Sequence, residues 1–323
     1  MNINKKLNKN PFNTQNGLNY RESEVIDKSE VSKYFTSLGY KVIQIEQLWR
    51  HAHGQLEKNN KKYFFKMAST PGVAERTKNE VEWNKQIHEK IIRSDITYFD
   101  VPIIYETGLY NDKFYYLTDA FNGKLLSTKY PPSTNGLEKW LNNIVRANIF
   151  LISLNDLVLP RDNNVKNIVD NWDESFSKIE ELADSVNKKY SQDLLSYAVK
   201  LKDTFIPSVN HGDFVPWHMI NNGKKFILVD GEHASNQSPK YYDVCYFYHR
   251  LYTSGKSPKL AKKYLNYFLN ELPQNLKNEF IKSIIPILAV RTIGGFWDAK
   301  NDKSDINYHK LIKDDLLTNN ILK

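Results

Sequence analysis

The order of periodicities along the first 121 residues constrains this chain more than any single motif does. "KVIQIEQLW" from Lys41 alternates and is β-branched, "HAHGQLEKNNKK" is turn-rich, and "YFFKM" is a short apolar run ending at Met67. Alternation marks half-buried strands, and Gly and Asn clusters mark the turns that join them. The segment predicts three antiparallel strands with turns near Gly54 and at Asn59–Asn60. Next, "PGVAERTKNEVEWNKQIHEKII" sets Val73, Val81, Trp83, Ile87, Ile91 and Ile92 at broadly helical spacing. Pro71 stands at the helix entry, where a missing N–H costs nothing. "VPIIYETGLYNDKFYYLTDAF" then reads as two more strands joined through "YNDK". Five strands with one helix after the third make a compact half-protein that ends at the turn Asn122–Lys124.

After Ser133 the pattern turns helical. In "NGLEKWLNNIVRANIFLISL", Asn135 can cap, Glu138 sits three residues later, and Leu137, Leu141, Ile144, Val145 and Ile152 mark one face. Helical periodicity recurs across 165–203, 258–271, 274–291 and 305–318. The window from His211 to Asp230 differs: "FILVD" is strand-like and "NNGKK" before it is a hairpin turn.

At 323 residues the chain exceeds the size at which a single core stops growing, roughly 250–300 residues. A bilobal α+β molecule is expected. The small N-lobe, at 26–121, carries a five-stranded antiparallel sheet and one helix, and the larger, mainly helical C-lobe covers 122–323. Residues 1–25, rich in Asn and Lys, are expected as a flexible tail.

Composition narrows the function classes. The charge of +8 favours an anionic partner, but the lysines are scattered and no nucleic-acid recognition module is present, so nucleic acid is not expected. Cys245 is the single cysteine, which rules out an intramolecular disulfide and fits a reducing compartment. The amino terminus has charge but no apolar core, and "SIIPILAV" is short of the ~20 residues that span a bilayer. A cytoplasmic protein without membrane insertion is expected; the oligomeric state is not legible.

Four features carry chemistry. Lys66 ends a buried strand, where an ammonium calls for a negative partner such as a phosphate; alone, a strand lysine is ordinarily an edge residue reaching water. Glu80, fourteen residues on in the helix, is the candidate to hold it, with Glu75 and Glu82 as competitors. In "HGDFVPWHM", Gly212 lets the backbone turn, Pro216 stiffens the loop, and Asp213 is offered as an acceptor for the proton of an attacking hydroxyl. His218, five residues later, is a potential metal ligand. In "FILVDGEHA" a strand delivers Asp230 into the turn at Gly231, seventeen residues after Asp213, so that its carboxylate can bind a divalent cation.

In this order and spacing the chain resembles the aminoglycoside phosphotransferase and choline kinase branch of the protein-kinase-like superfamily. That family's catalytic loop reads H-G-D-x-x-x-x-N and precedes a strand that ends in an acidic metal ligand. His211, Gly212 and Asp213 match the loop, Asp230 with Glu232 in "DGE" matches the second motif, and Lys66 with Glu80 fits the lysine–glutamate pair. The resemblance implies a protein-kinase-like fold and phosphoryl transfer from ATP or GTP with Mg²⁺ to a hydroxyl of a small molecule such as a sugar, amino sugar or aminoglycoside. It implies His211 and Asp213 as catalytic, Lys66, Glu80 and Gly54 at the phosphates, and Asp119, Ala120 and Phe121 at the adenine. Asp243 in "SPKYYDV" is implied as the support of the loop. Glu232, Trp217, Trp297 and Asp298 are guesses for the acceptor pocket.

The departure is His218, where the family has asparagine. Imidazole is softer than an amide oxygen and shifts preference from Mg²⁺ toward Mn²⁺ or Zn²⁺. Three readings stand: His218 ligates a metal, it hydrogen-bonds a phosphate while water replaces the lost oxygen, or the protein is a pseudokinase that binds nucleotide without turnover.

Overall fold

The structure is a computed structural model that describes residues 14–15, 18–130, 132–164, 167–185 and 187–322. The described residues divide into two compact units. The first runs up to Val81 and includes Ile104–Ala120; the second comprises Glu82–Ile103 and everything from Phe121 onward.

The first unit is built on β1 (Lys41–Leu48), β2 (His51–Lys58), β3 (Lys61–Ala68), β4 (Ile104–Tyr110) and β5 (Lys113–Asp119). The sheet order is β1-β2-β3-β5-β4, and every pairing is antiparallel. The five expected strands are present, but the first turn is displaced. β1 and β2 turn at Trp49–Arg50, with Trp49 in the left-handed region at φ 54°. Gly54 lies in the middle of β2, opposite Ile45 and Phe65. A Cβ there would fall 2.2 Å from the Gln44 carbonyl and from the Phe65 ring, so this glycine serves sheet packing and is not a turn residue.

A second helix, α1 (Lys28–Ser37), accompanies the expected one and corrects the count of one helix in this unit. Asp27 caps it, accepting from the amides of Ser29 and Glu30. Val31 and Phe35, four residues apart, join Ala52, Leu56, Phe65, Met67, Tyr115 and Leu117 in one core. Of the tail expected over 1–25, residues 1–13, 16 and 17 lie outside the described residues. The rest is partly structured: Leu18–Asn19 pairs with Thr14–Gln15, Tyr20 is buried, and its carbonyl accepts from Arg50 Nη1 at 3.0 Å.

The expected helix is α2 (Pro71–Arg93), and the division between the units falls inside it at Val81/Glu82. Val73, Val81, Trp83, Ile87 and Ile91 are buried as the spacing predicts, whereas Ile92 is 65% exposed.

The second unit holds α3 (Leu141–Ser153), α4 (Trp172–Ala183), α5 (Tyr242–Tyr252), α6 (Pro258–Glu271), α7 (Gln274–Ala299) and α8 (Lys303–Leu317). The 3-10 turn Leu137–Trp140 starts the α3 segment, and Gly136, at φ 74°, takes the cap position expected of Asn135 without a side-chain hydrogen bond. The stretch 165–203 is broken into α4 and several single turns. α7 is apolar enough over an 18-residue window to cross a membrane by length and composition, but 61% of that window is buried inside the protein. A helix apolar on all sides is a core helix when its neighbours cover it, and Phe280, Ile284, Leu288, Ile293 and Phe296 all lie in the main core. Three small sheets complete the unit among the described residues: β6 (Pro207–Asn210) with β9 (Ser235–Pro239), the hairpin β7 (Met219–Asn222) and β8 (Lys225–Leu228) with Phe99–Asp100 added in parallel, and Thr128–Lys129 with Pro132–Ser133.

Candidate active site

The first unit holds a buried ion pair. Lys66 lies on β3, opposite His53 and Tyr116, and its Nζ donates to Glu80 Oε2 at 2.7 Å. Lys66 is 5% and Glu80 3% exposed, so the pair depends on close geometry to offset the desolvation of both charges. Val73, Thr77 and Glu80 share the buried face of α2 at helical spacing. The competitors go elsewhere: Glu75 pairs with Lys78, and Glu82 with Lys85. Asp119, half-buried at the end of β5, accepts from the Tyr105 hydroxyl at 2.7 Å, and Ala120 and Phe121 follow it as half-buried chain.

The second unit carries the loop. Asp243, in the first turn of α5, accepts from the backbone N–H of His211 at 2.5 Å and of Gly212 at 2.9 Å. Its own N–H donates to Asn210 Oδ1 at 3.1 Å. Burial pushes the Asp243 carboxyl up to about 7, against the pull of the two amides. Gly212 turns at φ 80°, where a Cβ would lie 2.3 Å from the His233 carbonyl oxygen. Only glycine fits that position.

His211 is fully buried, and both of its ring nitrogens are engaged within the protein. A carbonyl can only accept, so Nε2 carries the proton and donates to Val229 O at 3.1 Å. Nδ1 is then the acceptor for the Asp213 N–H at 3.4 Å. Burial, with His218 adding to it, holds the imidazole pKa down to about 4. The neutral ring ties the loop to the end of the strand that delivers Asp230, and Trp83 packs against it edge-on, ring centroids 5.6 Å apart.

Asp213, His218 and Asp230 converge. His218 Nδ1 donates to the Asp213 carbonyl at 3.1 Å and lies 3.6 Å from Asp213 Oδ2, while Nε2 lies 3.5 Å from Asp230 Oδ2. Burial opposes ionisation of Asp213, but His218, His233 and Arg250 outweigh it and hold the carboxyl below its ordinary range. Asp230 sits at φ 68°, a left-handed conformation that only a few non-glycine residue types tolerate and that aims its carboxylate back toward the loop. One donor atom from each of the three residues lies within 4.8 Å of the others. Two carboxylate oxygens and one imidazole nitrogen at that spacing fit a divalent cation. With Nδ1 donating to the Asp213 carbonyl, Nε2 is the ring nitrogen turned toward Asp230.

The remaining candidates separate. Glu232 is 2% exposed with its Oε1 3.2 Å from His233 Nε2, outside the three-residue cluster. Trp217 is half-buried beside Lys129, whose Nζ is 5.9 Å from the indole centroid. Lys129 and Asp298 both line a cavity in this unit, and Trp297 does not. Arg291, Gly295, Asp298 and Ala299 form one face of α7 at i, i+4, i+7 and i+8, and Trp297 points from another. Arg250 and His249 of α5 line the same cavity and were not anticipated, although "YHRLYTS" places His249, Arg250, Thr253 and Ser254 at turn-of-helix spacing.

No protein-family model matches the chain, and no curated protein matches it in sequence. Solved structures do match in fold. The GDP complex of aminoglycoside 2'-phosphotransferase-IIIa aligns with a TM-score of 0.59 at 13% identity, over 90% of this chain and 97% of that one. A ternary complex of a thermostable mutant of aminoglycoside phosphotransferase APH(4)-Ia with AMP-PNP and hygromycin B gives 0.59 at 11% identity, over 90% and 98%. An ethanolamine kinase from Plasmodium vivax gives 0.55 at 14% identity, over 92% and 96%. With a five-stranded antiparallel sheet in its first unit and a mainly helical second unit, the chain has the α+β fold of these structures.

Proposed function

We propose that this protein is a kinase that moves the γ-phosphoryl group of ATP or GTP to a hydroxyl of a small molecule. The observation that carries the reading is the convergence of Asp213, His218 and Asp230 on a loop whose backbone is fixed by Asp243 and His211. Asp213 is the group that accepts the hydroxyl proton, and its depressed pKa keeps it ionised at neutral pH. As the acceptor oxygen bonds to the γ-phosphorus, the bond from that phosphorus to the β–γ bridging oxygen breaks, the nucleoside diphosphate leaves, and the proton passes to the Asp213 carboxylate. Lys66, held by Glu80, is the phosphate-binding cation, and Asp119 to Phe121 is the adenine segment. Asp230 and His218 Nε2 are the residues to hold a divalent cation, with Mn²⁺ favoured over Mg²⁺ by the imidazole. Such a cation, when bound, neutralises charge on the transferred phosphoryl group.

The pseudokinase reading keeps one specific support: His218 lies within 3.6 Å of both carboxylates and can occupy the cation's place itself. The test is phosphoryl transfer and nucleotide binding measured together, with Mg²⁺ and with Mn²⁺, in wild type, Asp213→Asn and His218→Asn. Transfer in wild type that Asp213→Asn abolishes is the expected result. Nucleotide binding with no transfer to any hydroxylated acceptor, in wild type and in His218→Asn alike, supports the pseudokinase instead.

A further inference from the structure

The cavity of about 240 Å³ in the second unit lies among α5, the C-terminal half of α7, the start of α8 and the segment at Lys129–Tyr130. It is smaller than the roughly 300–1,000 Å³ of sites for drug-sized ligands, a size that suits a small metabolite. Arg250 and Arg291 both line it, and neither is ion-paired with a carboxylate among the described residues, although Asp213 and Asp298 act on Arg250 from farther off. Arg250 donates only to neutral oxygens, the Tyr246 hydroxyl at 3.2 Å and Ser254 Oγ at 3.5 Å. The Arg291 guanidinium lies 4.5 Å from the Tyr246 ring centroid, and its buried Nε has no hydrogen-bond partner.

Two imidazoles complete the wall. Among the described residues, fully buried His249 lacks a partner on either nitrogen, and His309, 5% exposed, lacks one on Nδ1. Their rings stack with centroids 5.1 Å apart. Gly295 leaves room for the second ring, since a Cβ there would lie 2.2 Å from His309 Cε1. An unmet donor on the Arg291 guanidinium and unmet nitrogens on two buried rings, gathered around one space, are costly unless a ligand satisfies them. Of the two carboxylates at the cavity, Asp298 is solvent-exposed and Asp305 half-buried, so cations dominate the interior.

We propose that this cavity is the acceptor subsite and that it holds the acceptor by an oxyanion, so that the substrate is a small hydroxylated carboxylate or phosphate ester rather than a polycationic amino sugar. Arginine suits both oxyanions because its fork of donors matches their paired oxygens. The inference rests on the kinase reading above. Lys129 links the cavity to the loop through Trp217, and Arg250 is one of the charges felt at Asp213. An acceptor anchored at the arginines therefore places its hydroxyl end toward the base. Kanamycin or ethanolamine would bring ammonium groups against the same arginines.

The experiment is calorimetric binding to the intact protein of gluconate, glycerate, glucose 6-phosphate and 3-phosphoglycerate, beside glucose, ethanolamine and kanamycin, followed by transfer assays on the same compounds. At least one anion is expected to bind, with affinity roughly tenfold to a hundredfold weaker in Arg291→Gln and largely kept in Arg291→Lys. The carboxylate and phosphate arms tell which oxyanion is read. Lys129→Met, at the cavity edge, gives a second charge deletion if Arg291→Gln does not fold, and it too is expected to weaken binding. No binding by any anion, equal binding in the charge-deleted variants, or transfer to kanamycin or ethanolamine but to no anion would overturn the proposal. Anion binding without transfer would leave the oxyanion site standing and count against the kinase reading.

Discussion

At Asp213, burial and charge act in opposite directions, and the surrounding cations decide the outcome. Removing that carboxylate's basicity while keeping its shape, Asp213→Asn, is expected to lower kcat by roughly 10²–10⁴-fold with nucleotide affinity little changed, as rapid-quench transfer and nucleotide titration will show. His218→Asn replaces the imidazole by a harder oxygen and is expected to raise the Mg²⁺ to Mn²⁺ activity ratio; an unchanged ratio would remove His218 from the cation site. Acid stability follows from three buried imidazoles. His211 is held down to about 4, His309 to about 3 and His249 well below its ordinary value, burial being the first cause in each. Unfolded histidines bind protons from about pH 6.5 downward while these stay neutral, so their contribution is full above pH 6.5 and is lost as pH falls toward 4 and 3. Asp243 works oppositely, because its pKa is raised to about 7 and its burden is relieved as pH falls. Three groups outweigh one, and urea unfolding is expected to show several kcal/mol less stability at pH 5 than at pH 7.5; equal stability at the two pH values contradicts this.

Among the elements, those with unbroken local periodicity were legible and those shaped by distant contacts were not. α2, β3, β4 and β5 follow their apolar spacing, and the hairpin β7–β8 turns at Gly223–Lys224, within the expected "NNGKK". The β1–β2 turn escaped because Trp49 and Arg50 are poor turn formers, whereas Gly54 looks like a turn residue and is instead required by the Phe65 ring. α1 escaped although Asp27 and Glu30 form a cap signature with Val31 and Phe35 behind them. Two predictions belong here. Gly54→Ala forces a Cβ into the Gln44 backbone and is expected to cost about 1–3 kcal/mol or more in denaturant unfolding. Glu80→Ala leaves the Lys66 ammonium without its carboxylate and is expected to cost about 3–5 kcal/mol, with less lost in a Lys66→Met, Glu80→Leu double variant that removes both charges.

On the scale of the whole molecule, the periodicities set a sheet-rich stretch over 26–121 before a mainly helical one, whereas the described residues divide inside α2, with Glu82–Ile103 in the second unit. The clustering of Asp213, His218 and Asp230 was legible because the first two occupy one loop and Asp230 lies one hairpin later, so that short spacing brings them close. The cavity was not legible, because Arg250 and Arg291 are 41 residues apart and meet only through the packing of α5 against α7. Net charge also hid it, since +8 spread over a surface says nothing of where an unpaired guanidinium faces inward. The most direct measurement is transfer of labelled γ-phosphate from ATP to hydroxylated carboxylates and phosphate esters with Mn²⁺ or Mg²⁺, comparing wild type with Asp213→Asn. The account predicts a phosphorylated product in wild type and at least a hundredfold less in the variant, whereas the absence of product with every acceptor and metal, or equal product in both proteins, would contradict it.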